Sequence, residues 1–309
     1  MALTLTSIHR FPAKSMRGEA LDACAVEPWG LAGDRRWMLV EGEGPTAGTF
    51  LSARRDPSLV LLEPTLLDGA LRLAAPEAAG GPEPLVVPEP DGAEQAPLTL
   101  WSSSITAAAA GAAADAWASA YVGRPVRLLH LDDPTRRPTN PGFSRPGDRV
   151  SFADGYPLLV TTEASLAALH AAMVETGSEE PPVPMERFRP NLVVDGDEPW
   201  AEDDWRRIQV GDVVLRAVKG CARCAITTVD AATGTRGKEP LRTLARVRRF
   251  DTGVWFGVNL VPDVEPTGAD PAAGDAAAYP VVRVGDPVKV LDAVTSGRGP
   301  LRAAPARVS

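Results

Sequence analysis

The chain is short of cysteine, of histidine and of net positive charge. Three cysteines in 309 residues, with no even, spaced set, exclude the disulfide framework of a small secreted domain and point to a reducing compartment, the cytoplasm. The three histidines, His9, His130 and His170, stand at no ligand spacing, which leaves a four-ligand structural zinc site unsupported. Acidic residues outnumber basic ones, 40 to 32, for a net charge of -8. That sign is wrong for a protein resting on nucleic acid or an anionic membrane, so neither is expected as a partner.

Long apolar runs are missing too. The longest small-residue run, 107–114, is alanine and glycine, too short and weakly apolar to span a bilayer. The first ten residues alternate polar and apolar side chains and read as a strand rather than a signal peptide. Gly42, Gly44 and Gly48 lack dinucleotide-fingerprint spacing, and Gly234 to Glu239 lacks the phosphate-loop spacing and its Ser/Thr. No serine sits in a nucleophile elbow, and no repeat of solenoid length occurs.

What is present is a core-forming chain, 44% hydrophobic, long enough for two domains or one large one with insertions. Residues 1–73 carry short strands with turn punctuation, at 3–11, 21–27, 36–41, 49–52, 59–63 and 71–73, the pattern of a sandwich or barrel. An Ala/Gly/Pro/Glu-rich loop, 74–97, leads to a strand at 98–101. Residues 106–121 predict an alanine-rich helix with Trp117 and Tyr121 on one face, followed by a strand at 125–131. The aperiodic stretch 132–149 exceeds a usual connector and is open to two readings, a lid or binding loop and plain disorder. Beyond it a strand at 158–162 runs into a helix at 163–173 capped by Thr162, with strands expected near 192–194, 213–218, 225–230, 254–259 and 281–290 and a helix at 239–246.

One stretch carries chemistry. Lys219 to Asp230 holds Cys221 and Cys224, two residues apart, with Arg223 between them. A thiolate is a nucleophile and a soft metal ligand, and nearby cations such as Arg223 and Lys219 favour it. The pair is also compatible with two buried small hydrophobes, half a zinc site or a dithiol switch. A thioredoxin-type site needs a helix after the pair, whereas the branched run 225–229 reads as a strand. Cationic or polar residues recur at strand ends, at Lys14-Ser15, Arg35, Arg54-Arg55, Arg189 with Asn191, and Arg223. Converging on one thiolate they would make a site for an anionic ligand; apart, they would be a solvated rim.

The ordered set Phe11-Pro12-Ala13-Lys14-Ser15, Gly33-Asp34-Arg35-Arg36-Trp37, Arg189-Pro190-Asn191, Glu202-Asp203-Asp204-Trp205, Cys221-Ala222-Arg223-Cys224 and Thr227-Thr228-Val229-Asp230 resembles MOSC-domain proteins with an N-terminal β-barrel partner. The likeness is to amidoxime-reducing components and bacterial reductases of N-hydroxylated bases, and it spans nearly the whole chain. It implies an α+β, mainly β fold: a β-barrel-like domain at 1–122 packed on a MOSC β-barrel at 123–295, with a few short helices and a tail at 296–309.

The resemblance further implies a molybdenum cofactor, Mo-molybdopterin. Cys224 matches the catalytic metal ligand, and Lys14, Ser15, Arg35, Arg189 and Asn191 match positions that hold the pterin and its phosphate. Ala222 and Arg223 match contacts beside the metal. Asp154 to Tyr156 match a further lining loop in a local sequence that departs from the relatives, and Cys221 matches a cysteine without a ligand role. The implied activity is reduction of N-hydroxylated compounds, amidoximes or hydroxylaminopurines. Neither the ferredoxin domain nor the membrane anchor of some relatives is seen, so a separate ferredoxin, flavin or haem protein would supply electrons. The alternative is a sulfur carrier with a persulfide on Cys224. MOSC domains also occur fused to pyridoxal phosphate sulfurases, but nothing here resembles the pyridoxal phosphate lysine domain. A binding protein without activity is the third reading.

Overall fold

The computed structural model describes residues 2–76, 81–265, 278–294 and 299–301, so most of the expected tail 296–309 lies outside the described residues. Strands dominate. Among the described residues the α-helices are α1 (Ala112–Val122), α2 (Glu163–Glu175) and α3 (Leu241–Val247). None is long and apolar enough to cross a membrane.

Seven strands close into a barrel. In spatial order they are Leu158–Thr162, Leu192–Val194, Leu3–Arg10, Pro287–Ala293, Trp205–Val210, Val213–Ala222 and Gly253–Asp263. The last pairs back to the first, with Leu158 opposite Leu260. Leu158–Thr162 and Leu192–Val194 run parallel, and the crossover that a parallel pair needs is made through α2. The chain's first strand is thus built into the sheet formed mostly by its second half, with Ile8 opposite Leu192 and Leu3 opposite Val288. Apolar side chains alternating along these strands fill the interior, among them Leu5, Ile8, Val160, Leu192, Ile208 and Leu260.

The N-terminal half adds a four-stranded sheet, Trp37–Glu41, Val126–His130, Ser103–Ala109 and Gln95–Leu100, and a three-stranded one, Glu63–Leu67, Ala70–Ala74 and Leu85–Pro88. The unbroken apolar run Trp37-Met38-Leu39-Val40 is explained by burial on both faces. Trp37 and Leu39 pack with Leu59, Leu71 and Trp117, whereas Met38 and Val40 pack with Leu98, Leu129 and Phe152.

Four local expectations are corrected. The alanines at 107–109 belong to a strand paired with 95–97, because burial in the sheet overrides alanine's helix propensity. The helix begins only after Gly111, whose φ of 94° turns the chain. Residues 57–61 form a 3₁₀ turn before the strand Glu63–Leu67, and 49–52 contributes only isolated bridges. The run after Cys224 is likewise a 3₁₀ turn, Ala225–Thr228. The 132–149 stretch is tied down by buried Arg137, which donates to the carbonyls of Ser151, Ala153 and Asp154.

Candidate functional site

The ends of the barrel strands and the loops beside them deliver the site. All ten residues that the resemblance assigns to the site, from Lys14 to Cys224, line one cavity of about 130 Å³. Cys221, Ser52, Arg54, Phe188 and Asn259 line it as well. Arg54 was visible in the sequence as one more strand-end cation, beside Ser52 in the run Phe50-Leu51-Ser52-Ala53-Arg54, but no signal marked Asn259. Three lining residues, Ser15, Arg35 and Arg189, adopt φ of 68°, 50° and 54°. L-residues avoid that region unless the surroundings enforce it, and such outliers gather at functional sites.

The surroundings do enforce it. The Arg35 backbone N–H donates to the Phe11 carbonyl at 2.7 Å, and that of Arg189 to Glu186 at 3.0 Å. The Arg35 side chain donates to Asp34 Oδ2 (2.5 Å), to Asn191 Oδ1 (3.3 Å) and to the Arg189 carbonyl (3.2 Å). Phe11 lies against both guanidiniums, 4.5 Å from Arg35 and 4.2 Å from Arg189, a cation–π arrangement that lets two like charges share one ring. Asn191 locks the register by donating to the His9 carbonyl while accepting from the Leu159 N–H.

Five cations, Lys14, Arg35, Arg54, Arg189 and Arg223, line the cavity against one carboxylate, Asp154. Lys14 is buried, and its Nζ donates to the Phe152 carbonyl (2.9 Å) and to Asp154 Oδ1 (2.5 Å). Burial draws its pKa down to about 8, with Asp154 resisting. Desolvation acts to raise Asp154, but the Lys14 ion pair and hydrogen bond outweigh it and hold the carboxyl below the usual carboxylate range. Burial, helped by the neighbouring Arg35, lowers Arg189 to about 9. Its Nη1 donates to the Met16 carbonyl at 2.6 Å, while its Nη2 has no partner. Clustered, desolvated cations are costly without a counter-charge, so the donor set fits an anionic group.

Both cysteines of the pair line the same cavity. Cys221 is the next-to-last residue of the strand Val213–Ala222, and Cys224 precedes the 3₁₀ turn. Thr227 and Thr228 explain that turn: their hydroxyls donate back to the carbonyls of Cys224 and Ala225, at 2.9 and 2.8 Å. Such local bonds compete with strand pairing. Arg223 Nη1 donates to the sulfur of Cys221 at 2.8 Å and Nη2 to the Phe188 carbonyl at 2.7 Å. Burial still pushes the Cys221 thiol up, against the pull of Arg223. The expected helper Lys219 is not in the lining; its ammonium sits 4.5 Å over the Phe143 ring. Tyr156 presents a buried hydroxyl without a partner, raised to about 12 by burial. Among the described residues no three His, Cys, Asp or Glu side chains are grouped to hold a metal ion by themselves.

A profile of the MOSC domain matches residues 147–289, and one of the MOSC N-terminal beta barrel domain matches residues 2–125. Human mitochondrial amidoxime-reducing component 1 is 32% identical over 258 residues, covering 80% of this chain and 73% of that protein. The chain belongs to the MOSC family. Rat mitochondrial amidoxime reducing component 2 is 32% identical to this MOSC protein over 306 residues, covering 92% of the chain and 82% of the relative. Zebrafish molybdenum cofactor sulfurase is 31% identical over 274 residues, which is 83% of this chain but 32% of the sulfurase. The mainly β architecture expected from the resemblance is the one observed, down to the closed barrel.

Proposed function

We propose that the cavity binds molybdenum cofactor and that the protein reduces N-hydroxylated compounds, amidoximes or hydroxylaminopurines, with electrons from a separate donor protein of ferredoxin, flavin or haem type. The observation that carries this reading is the cation excess around a free thiol, with Arg189 Nη2 left unpartnered. Lys14, Ser15, Arg35, Arg189 and Asn191 would hold the phosphate and pterin, and Ala222, Arg223, Asp154 and Tyr156 would flank them. Cys224 offers the soft thiolate ligand that a thiol-loving metal selects. When bound, the cofactor would supply two-electron chemistry that takes the oxygen of an N-hydroxyl group, giving the amine or amidine and water.

The protein's own share is binding and charge. At neutral pH Lys14 keeps its proton at Nζ, fixed between Asp154 and the Phe152 carbonyl. The forked guanidiniums of Arg35 and Arg189 suit bidentate contact with phosphate oxygens. Three free cysteines suit a reducing compartment, the cytoplasm on this reading. A second reading follows from the similarity to molybdenum cofactor sulfurase: Cys224 as a persulfide carrier without reductase activity.

Metal analysis separates the two. The protein and its Cys224→Ala variant are purified from a host that makes molybdenum cofactor. Near-stoichiometric molybdenum and pterin in the first, with molybdenum lost in the second, is the expected result. No molybdenum in either, with cyanide-labile sulfur on Cys224, would establish the carrier reading instead.

A further inference from the structure

Gln95–Leu100 and Ser103–Ala109 form a hairpin in which Leu100 pairs with Ser103, so Trp101 and Ser102 are its two-residue turn. Such turns call for positive φ, which asparagine and glycine supply. Here a tryptophan takes φ of 54° and stays 43% exposed. Neither the turn nor the core asks for a bulky aromatic at that position.

Three contacts aim the ring. The indole Nε1 donates to Asp154 Oδ1 at 3.3 Å, the Arg54 guanidinium lies 4.7 Å over the ring, and the Phe50 ring packs at 4.8 Å, tilted by 60°. Asp154 and Arg54 both line the cavity, and Asp154 also takes the Lys14 bond. The indole therefore stands on the rim, one hydrogen bond from the cavity wall, with part of its surface open to solvent.

We infer that Trp101 is a specificity-determining residue, stacking on the planar body of aryl or heteroaryl N-hydroxylated compounds as their N–OH group enters the cavity. The inference rests on the reductase reading and names the substrate class within it. Any aromatic ring has a face to offer, whereas an alkyl substituent has none, so the selection is for flatness rather than for one ring system. Arg54 and Phe50 already hold the indole, and a substrate ring would stack on the part of it that stays exposed.

The test compares the cofactor-loaded protein with its Trp101→Ala and Trp101→Phe variants. The kcat/KM ratio of benzamidoxime to acetamidoxime is measured, together with calorimetric binding of the product pair benzamidine and acetamidine, which needs no turnover. In Trp101→Ala the aryl-to-alkyl preference should fall about tenfold, the scale of one lost stacking contact, with the change carried by KM. Benzamidine binding should weaken in step, and Trp101→Phe should recover most of both effects. Equal changes for aryl and alkyl compounds, or none, would overturn the inference. A wild-type protein that reduces neither amidoxime yet binds benzamidine through Trp101 would sink the reductase reading alone. Benzamidine binding indifferent to Trp101 would sink the stacking role alone.

Discussion

Glu202 is fully buried against the start of α2, with Thr162 and Ser165 hydroxyls donating to Oε2 and nothing donating to Oε1. Burial, with Asp203 beside it, raises its pKa from 4.5 to about 7. Between those values the folded protein holds a proton that the unfolded chain has released. Its contribution to stability therefore declines as pH rises from about 4.5 to 7 and is level above that. Glu202→Gln removes the ionisation. The variant is expected to match the wild type near pH 4 and to exceed it by up to roughly 3 kcal/mol at pH 8, as read from urea titrations at the two pH values. Asp203, its neighbour in sequence, pairs with Arg248, yet burial raises its carboxyl as well, with Arg248 resisting. In the sequence Glu202 and Asp203 stood out only as part of the motif Glu202-Asp203-Asp204-Trp205; their burial depends on the distant α2 and on Arg248.

At the scale of elements, the link between the first strand and the short strand Glu19–Leu21 shapes the site. A methyl group at Gly18 would stand 2.4 Å from the Phe11 ring, and that ring supports Arg35 and Arg189. Gly18→Ala is expected to cost about 1–3 kcal/mol through overpacking and to lower cofactor content with Cys224 intact, measured by thermal melting and metal analysis. Elements set by local pattern were legible: the alternating strands, and α2 with Thr162 accepting from the Ser165 N–H at its start. Elements decided by distant partners were not. The alanines at 107–109 are a strand because 95–97 lies alongside, and the threonines after Cys224 fold back on the carbonyls of Cys224 and Ala225. The site residues were legible as an ordered set of motifs, whereas the left-handed backbone of Ser15, Arg35 and Arg189 left no mark in composition or spacing.

Across the whole molecule the halves are not separable by cutting between them. Leu3–Arg10 sits between Leu192–Val194 and Pro287–Ala293 in the closed sheet, and Ala23–Glu27 pairs with Val281–Arg283. A fragment of residues 123–294 is expected to lack cooperative unfolding and to aggregate, because a barrel opened at that strand exposes two unpaired edges. Adding residues 2–31 in trans should restore a cooperative melt and dispersed amide NMR signals if the strand alone is what the fragment lacks.

The same pairing puts the order of synthesis against the order of assembly. The strand that leaves the ribosome first must wait for the one that leaves near the end, since Leu3 finds its place opposite Val288. At ordinary translation speeds that wait lasts on the order of tens of seconds. During it, Leu3–Arg10 has Glu19–Leu21 to pair with but neither of its later neighbours, and its open edge is a half-built seam.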